Sequence, residues 1–230
     1  MLDDLRQQVC QANRRLIAEH LAFGTFGNAS GVDRAGGHAV IKPSGVPHEQ
    51  LAPERMVVVS LADGRVVEGD LRPSSDTPTH LELYRAFEAV GGIVHTHSVH
   101  ATAWAQAQRD IPALGTTHAD FFNGPIPCTR LLKSTEIAAD YETNTGKVIV
   151  ERFAELDPTQ VPGVLVAHHG PFAWGPTVAE AVDAAVTLEH VARLASETLH
   201  VEPNPQTIHR ELLEKHFSRK HGPGAYYGQR

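Results

Sequence analysis

Two short apolar runs, each followed directly by histidines, constrain the fold of this 230-residue chain more than any other feature. Ile93 and Val94 lead into His95-Thr96-His97, and the apolar run 163–167 leads into His168-His169. Runs of this kind, bounded by glycine, predict buried β-strands. Since residues i and i+2 of a strand point to the same face, His95 and His97 can reach one metal ion.

A third imidazole must come from another element, and the pair His168-His169 after the second strand is best placed to supply it. The spacing alone does not decide between these two residues. Zinc sites that perform chemistry typically use three protein ligands and leave one position open. With 15 histidines in the chain, an H-x-H pair also arises easily by chance, so the pattern alone is equally compatible with no metal site.

The remaining pattern alternates between helices and strands. Helical spacing and capping signals predict helices at 2–16, 77–90, 100–107, 134–156 with an interruption near Gly146, 177–199 and 208–219. Apolar runs predict strands at 39–41, 56–60 and 65–68, and Asp63-Gly64 between the last two predicts an antiparallel hairpin. Because no internal boundary is evident, the sequence predicts one α/β domain over residues 1–230.

Composition excludes several classes of function. The formal net charge is −7 and the basic residues form no long block, which argues against nucleic-acid binding. No run of about 18 apolar residues exists, so we expect no membrane span. The charged start does not read as a signal peptide, and two distant cysteines suggest a reducing compartment, so we expect a cytoplasmic protein.

Three short segments are rich in small and polar residues: Gly27-Asn28, 42–45 and Ser74-Ser75-Asp76. Small residues let the backbone approach an anion, while hydroxyl and N–H groups donate to its oxygens. The third segment also precedes a predicted helix, whose N-terminus favours a phosphate. Each segment alone is better explained by ordinary turns and caps. Asp76 itself fits a helix start, a metal ligand or a general base.

Two further places carry polar groups of less obvious purpose. Asp120 lies in a predicted loop, where a solvated carboxylate is ordinary. Tyr226-Tyr227 lie near the C-terminus, and adjacent tyrosines are unusual on a frayed end. We therefore expect the tail to dock on another surface.

Taken together, these motifs resemble the L-ribulose-5-phosphate 4-epimerases of the class II aldolase/adducin superfamily. The resemblance is carried, in order, by residues 25–30, 41–46, 73–80, 91–98, 115–120, 126–130, 169–175 and 225–229. It covers nearly the whole chain and is weak only around 200–207. The resemblance implies a single domain with a largely antiparallel central sheet flanked by helices, and zinc-dependent conversion of L-ribulose 5-phosphate to D-xylulose 5-phosphate.

Carried over position by position, the resemblance makes His95, His97 and His169 the zinc ligands, with Asp76 beside the metal. It assigns the phosphate to Gly27, Asn28, Lys42, Ser44, Gly45, Ser74 and Ser75. Manganese or cobalt would also suit such a donor set. One departure is Ala167-His168, where the family more often has His-Ser.

The resemblance also makes Asp120 and Tyr227 the catalytic acid/base pair. They would be supplied by the neighbouring subunit of a homotetramer, with the tail at about 220–230 docked at the subunit interface. The C4 centre is not acidic, so inversion requires retro-aldol cleavage of C3–C4 and re-addition, with zinc stabilising the enediolate. Arabinose catabolism is the expected setting, and an ascorbate-related pathway is the alternative.

Two other functions share parts of this pattern. A sugar-phosphate aldolase of the same superfamily would use the same metal site, but that branch normally has Glu where this chain has Asp76. A non-catalytic module like the adducin head domain would share the fold, but it would be expected to lose the zinc histidines. The retained histidines and Asp76 favour the epimerase.

Overall fold

The computed structural model describes residues 2–222 and 224–228. Seven strands form one sheet: β1 (Asn28–Asp33), β2 (His38–Ile41), β3 (Val57–Ser60), β4 (Val66–Glu68), β5 (Gly92–His95), β6 (Gly163–Val166) and β7 (Gly170–Gly175). Their order is β4-β3-β2-β1-β5-β7-β6, and each neighbouring pair is antiparallel. This confirms the predicted α/β class with an antiparallel central sheet.

Helices surround this sheet: α1 (Leu2–Ala18), α2 (Thr77–Ala86), α3 (Val99–Gln106), α4 (Thr116–Ala119), α5 (Ser134–Arg152), α6 (Val178–Val201) and α7 (Arg210–Lys220). α6 packs on β5 and β7, α1 packs on β1, and α2 packs against α5. Apolar side chains of these elements form one buried core. Within the described ranges, no helix is both long and apolar enough to cross a membrane.

Local sequence signals account for several of these boundaries. The spacing of Thr177 and Glu180 predicts a capping box at the start of α6, and the Thr177 hydroxyl accepts a hydrogen bond from the Glu180 N–H at 3.2 Å. The Asp63-Gly64 turn joins β3 to β4 as an antiparallel hairpin, and Gly64 has a φ of +75° that favours glycine. Both predictions are confirmed.

Two predicted helix details are wrong. The interruption of α5 lies at Asp140 (φ −152°, ψ 84°) and not near Gly146. Gly146 is helical, and a Cβ there would lie 2.6 Å from Glu82 Cβ, so the glycine allows α5 to approach α2 closely. The pair Thr77-Pro78 predicts Thr77 as the N-cap of α2, but α2 already includes Thr77 and its N-cap is Asp76.

Two central strands, β1 and β7, were not predicted from the sequence. β1 lies between β2 and β5, where Gly31 leaves room for α1 and α6; a Cβ at Gly31 would lie 2.6 Å from both Leu5 Cδ1 and Val178 Cγ2. The buried Asn13 side chain donates to the Ala29 carbonyl at 3.1 Å and accepts from its N–H at 2.8 Å. The Asn13 side chain of α1 therefore holds β1 in place through the backbone groups of Ala29.

Candidate metal and phosphate site

Three histidines meet where β5 and β7 lie side by side. His95 ends β5, His97 follows two residues later, and His169 immediately precedes β7. Their candidate ligand atoms all lie within 4.8 Å of one another, and the Nε2 atoms of His95 and His97 are 3.2 Å apart. His168 is not part of this group, since its Nε2 lies 2.9 Å from Gln108 Nε2 on the exposed surface. The structure thus places His169, and not its neighbour, beside the H-x-H pair.

Contacts with the protein orient the His95 ring. His95 Nδ1 lies 3.0 Å from the Pro171 carbonyl oxygen, to which it donates, so its Nε2 lone pair is available for a metal. The His95 ring also stacks on Phe172, with ring centroids 4.1 Å apart. Burial lowers the pKa of His97, and burial together with the neighbouring His95 and His97 lowers the pKa of His169 to about 3. These rings are therefore neutral at physiological pH, the form that binds cations.

Asp76 adds a carboxylate to the histidine group. Its Oδ2 accepts a 2.6 Å hydrogen bond from Asn28 Nδ2 and lies 4.0 Å from His95 Nε2. Burial raises the pKa of Asp76, but His95, His80 and the Asn28 hydrogen bond outweigh it and leave that pKa lowered. The side chain makes no capping hydrogen bond to α2, although it stands at the N-cap position. Three imidazoles and one carboxylate form a donor set that fits a divalent metal such as zinc.

The same cavity continues from the histidines to the three polar segments. It has a volume of about 420 Å³ and is lined by Thr25, Phe26, Gly27, Asn28, Lys42, Ser44, Gly45, Ser74, Ser75, Asp76, His95, His97, Tyr141, Glu142 and His169. All seven candidate phosphate-binding residues and all four candidate metal-binding residues are in that set. Gly27 (φ +78°) and Gly45 (φ +68°) adopt left-handed backbone conformations that favour glycine.

Lys42 brings a positive charge to this cavity. The residue is 98% buried, and Nζ donates to the carbonyl oxygens of Thr25 (3.1 Å) and Pro43 (3.4 Å). Burial lowers the pKa of Lys42, and the Coulombic attraction of Asp76 acts against that change. Among the described residues, the buried Asn28 Oδ1 atom has no hydrogen-bond partner. The cavity therefore offers a partly compensated cation beside small, hydroxyl-bearing residues, which suits an anion.

Asp120 and Tyr227 both contact Arg219, away from the histidine cavity. Asp120 directly follows α4, and its carboxylate accepts from His216 Nδ1 (3.0 Å) and from Arg219 Nη2 (2.7 Å). The Arg219 guanidinium lies 4.7 Å from the centroid of the Tyr227 ring, and Lys220 Nζ lies equally close. Within the described ranges, neither Asp120 nor Tyr227 lines the histidine cavity. Residues 223, 229 and 230 of the predicted tail lie outside the described residues.

The charged neighbours decide the protonation of Asp120. Burial raises its pKa, but hydrogen bonds from Arg219 and His216 and the charge of Lys220 outweigh burial and leave it lowered. Asp120 is therefore a carboxylate at neutral pH. The backbone N–H groups of Tyr226 and Tyr227 both donate to the Arg219 carbonyl, at 2.9 and 3.0 Å, so this part of the tail folds back on the end of α7.

Two cavity residues, Tyr141 and Glu142, were missed in the sequence. They directly follow the interruption of α5 at Asp140 and line the cavity beside His169. A tyrosine and a glutamate within a helical pattern are ordinary surface residues, and the position of the interruption gave no local signal. Only the packing of α5 against α2 brings them to the cavity.

The comparisons with known proteins agree with this architecture. The family model of the Class II Aldolase and Adducin N-terminal domain matches residues 7–196. The chain belongs to this family. The resemblance to class II aldolases that the motifs indicated is therefore confirmed.

Individual relatives of this class II aldolase family member fall into two groups. The L-ribulose-5-phosphate 4-epimerase UlaF proteins of Salmonella paratyphi A and Salmonella typhi are each 54% identical over 229 residues, which covers 100% of both chains. A solved L-fuculose 1-phosphate aldolase superimposes with a TM-score of 0.79 at 24% identity, covering 94% of this chain and 95% of that one. YgbL from Klebsiella pneumoniae gives a TM-score of 0.72 at 26% identity, with 94% and 98% covered.

Proposed function

We propose that this protein is an L-ribulose-5-phosphate 4-epimerase that forms D-xylulose 5-phosphate with the help of a bound divalent metal, which we take to be zinc. The observation that carries the proposal is the sharing of one cavity by the His95–His97–His169–Asp76 group and the buried ammonium of Lys42. A sugar phosphate needs both a cation for its oxygens and a separate anchor for its phosphate. The relatives at 54% identity that carry this name support the same conclusion.

The phosphate end of the substrate would occupy the side of the cavity lined by Lys42. Its ammonium would exchange carbonyl partners for phosphate oxygens, and the hydroxyl groups of Ser44, Ser74 and Ser75 would donate to the others. The residue with an unpartnered side-chain oxygen, Asn28, would meet a substrate hydroxyl group. This anchoring matters because the proposed bond cleavage produces a phosphate-bearing fragment, which must stay bound in the cavity while its carbonyl group rotates.

The reaction must break and re-form a carbon–carbon bond, since the C4 proton is not acidic. One member of the pair Asp120 and Tyr227 would take the proton of the C4 hydroxyl group, and the C3–C4 electron pair would pass to the C2–C3 fragment as an enediolate. A divalent cation held by the three histidines supplies the positive charge that stabilises an enediolate. The aldehyde group of glycolaldehyde phosphate would then rotate, and the enediolate would attack the opposite face of its carbonyl carbon. The other member of the pair would protonate the new alkoxide.

We further propose that the active site forms between subunits of a homotetramer. Asp120 and Tyr227 lie outside the cavity of their own chain, so a neighbouring chain would have to bring them to it. Asp120 is a carboxylate and suits the base, while Tyr227 can donate its phenolic proton. Tyr227 is 59% exposed, which leaves its ring available to a second chain.

A direct assay tests the proposal. Purified protein is incubated with L-ribulose 5-phosphate, and D-xylulose 5-phosphate is measured with and without a chelator, then after added zinc. We expect conversion that chelation removes and zinc restores. Absence of conversion in the metal-loaded protein would contradict the proposal, and efficient condensation of dihydroxyacetone phosphate with an aldehyde would instead indicate an aldolase.

A further inference from the structure

Tyr141 contacts the histidine cluster from a helix that supplies none of the candidate ligands. Its Oη lies 3.2 Å from His169 Nδ1, and the two ring centroids are 6.0 Å apart. The contact depends on the interruption of α5 at Asp140, where the non-helical backbone (φ −152°, ψ 84°) separates residues 134–139 from the rest of the helix. Tyr141 is thus the first residue after the interruption.

The backbone around Tyr141 is fixed on two sides. The buried Thr145 hydroxyl donates to the Tyr141 carbonyl at 2.8 Å. Thr79 lies on α2, three residues after Asp76, and its hydroxyl donates to the carbonyl of Glu142 at 2.6 Å. The same helix that follows Asp76 therefore also holds the segment that carries Tyr141. The phenol is consequently placed by backbone contacts and does not depend on a flexible loop.

The chemistry of a ligating imidazole gives this contact a purpose. A neutral histidine that binds a cation through Nε2 carries its proton on Nδ1, and that N–H needs an acceptor. The Pro171 carbonyl accepts from His95. We propose that Tyr141 Oη is the corresponding acceptor for His169 Nδ1, which makes Tyr141 a positioning residue that fixes the tautomer and ring orientation of one metal ligand. This inference rests on the proposed metal site.

Two further observations agree with that role. Burial is the main reason that the pKa of Tyr141 is raised, so the group is a neutral phenol whose oxygen can accept the N–H. The His169 ring also meets Phe172 edge-on at a centroid distance of 6.1 Å, so the imidazole is held on one side by an apolar ring and on another by the phenol. Removing the phenol oxygen leaves the apolar contact and deletes only the hydrogen bond.

Metal affinity tests the assignment without any substrate. Metal-free wild type and Tyr141→Phe are titrated with Co²⁺, read by visible absorption, and with Zn²⁺ in competition with a chromophoric chelator. We expect metal affinity to fall by about tenfold or more in the variant, the usual effect of removing such a hydrogen bond. Tyr226→Phe makes the same chemical change at an exposed residue and should keep wild-type affinity.

A second measurement separates orientation from folding. In the zinc-loaded wild type, we expect a slowly exchanging, downfield His169 Nδ1–H proton resonance by NMR, which Tyr141→Phe loses while its metal-free thermal unfolding temperature stays close to wild type. Unchanged zinc affinity and an unchanged Nδ1–H resonance in Tyr141→Phe would overturn this inference alone. A wild-type chain that binds neither Co²⁺ nor Zn²⁺ would overturn it together with the proposed metal site.

Discussion

In the histidine cavity the polar groups are held by carbonyl oxygens and neutral side chains, whereas around Asp120 they are held by opposite charges. His95 is held by the Pro171 carbonyl and Lys42 by two further carbonyls. Asp120, by contrast, is surrounded by Arg219, Lys220 and His216. The donor groups of the first region fit the divalent metal and the phosphate that we propose bind there. In the second region, basic groups of the same chain compensate the charge of the Asp120 carboxylate.

The largest effect should come from removing a proposed metal ligand in the first region. We expect His169→Asn to lower kcat/KM by about a thousandfold, because losing the cation removes several kcal/mol of charge stabilisation. His168→Asn is the matched control, since it changes the same side chain one position earlier, and asparagine tolerates the left-handed backbone found there (φ +61°). The measurements are steady-state kinetics and metal content. Equal losses in both variants would show that the histidine cavity is not the site of the chemistry.

Next in size is the effect of removing the phenol hydroxyl of Tyr227, which we propose as a proton-transfer group of the second region. We expect Tyr227→Phe to lower kcat by about a hundredfold or more while the protein keeps its metal, because a positioned acid or base contributes about that factor. Full activity in this variant would contradict the acid/base assignment.

The same variant tests whether the two regions cooperate across subunits. An equal mixture of His169→Asn and Tyr227→Phe chains, dissociated and reassembled, should recover about a quarter of wild-type activity, because about one site in four would combine two intact halves. Each variant reassembled alone serves as the control. Mixed oligomers without recovered activity would place both halves of the site in one chain.

A smaller effect is expected from the anion-binding side of the cavity. Lys42→Met should raise KM for the sugar phosphate by about tenfold to a hundredfold, since a hydrogen bond to a charged group is worth about 1.5–3 kcal/mol. Inorganic phosphate should also inhibit the variant more weakly than wild type. Lys147→Met, at an exposed position on α5, is the control. An unchanged KM and unchanged phosphate inhibition would mean that the phosphate binds elsewhere.

The smallest effect concerns stability beneath the cavity. Ser30 Oγ lies 2.7 Å from both His80 Nδ1 and Tyr84 Oη, and burial lowers the pKa of His80 to about 3. Because the folded pKa lies below the unfolded value of about 6.5, only the unfolded chain takes up this proton between the two values. His80 therefore does not lower the free energy of unfolding above about pH 6.5, but it lowers that free energy progressively as the pH falls towards 3.

Between pH 7 and pH 5, His80 should account for about 2 kcal/mol of lost unfolding free energy. Denaturant unfolding of the metal-free protein at both pH values measures this loss. His80→Gln should unfold with a weaker dependence on pH, and His190→Gln, which replaces an exposed histidine on α6, should keep the wild-type dependence. An identical pH dependence in all three proteins would show that His80 is not held in its neutral form.

The elements that sequence reasoning found are those whose composition matches their structure. β3 is a run of β-branched residues, and α6 begins with a recognisable cap at Thr177. β1 and β7 were missed because both are rich in residues that disfavour strands, and β7 even contains Pro171. Both strands lie where neighbouring helices or strands approach closely, so tertiary packing overrides their weak local preference.

The candidate site divides along similar lines. The H-x-H pair could be recognised because two residues apart on a strand share a face, and the resemblance then singled out His169 over His168. Tyr141 and Glu142 could not be found, because their approach to His169 depends on an interruption at Asp140 and on the packing of α5 against α2. Side chains brought in by the packing of distant elements leave no periodic signal in the chain.

The hydrogen-bond register of the sheet has a consequence for how this protein can change over evolutionary time. Asn28 on β1 pairs with His95 on β5, and His95 pairs with Phe172 on β7, so the three form one row across the strands. Distances within such a row are set by the backbone ladder, at about 4.8 Å per strand. Core side chains can therefore be exchanged one by one without moving the row, provided that no residue is inserted or deleted within these strands. Lineages of this chain should tolerate wide substitution in the core and very little change in strand length.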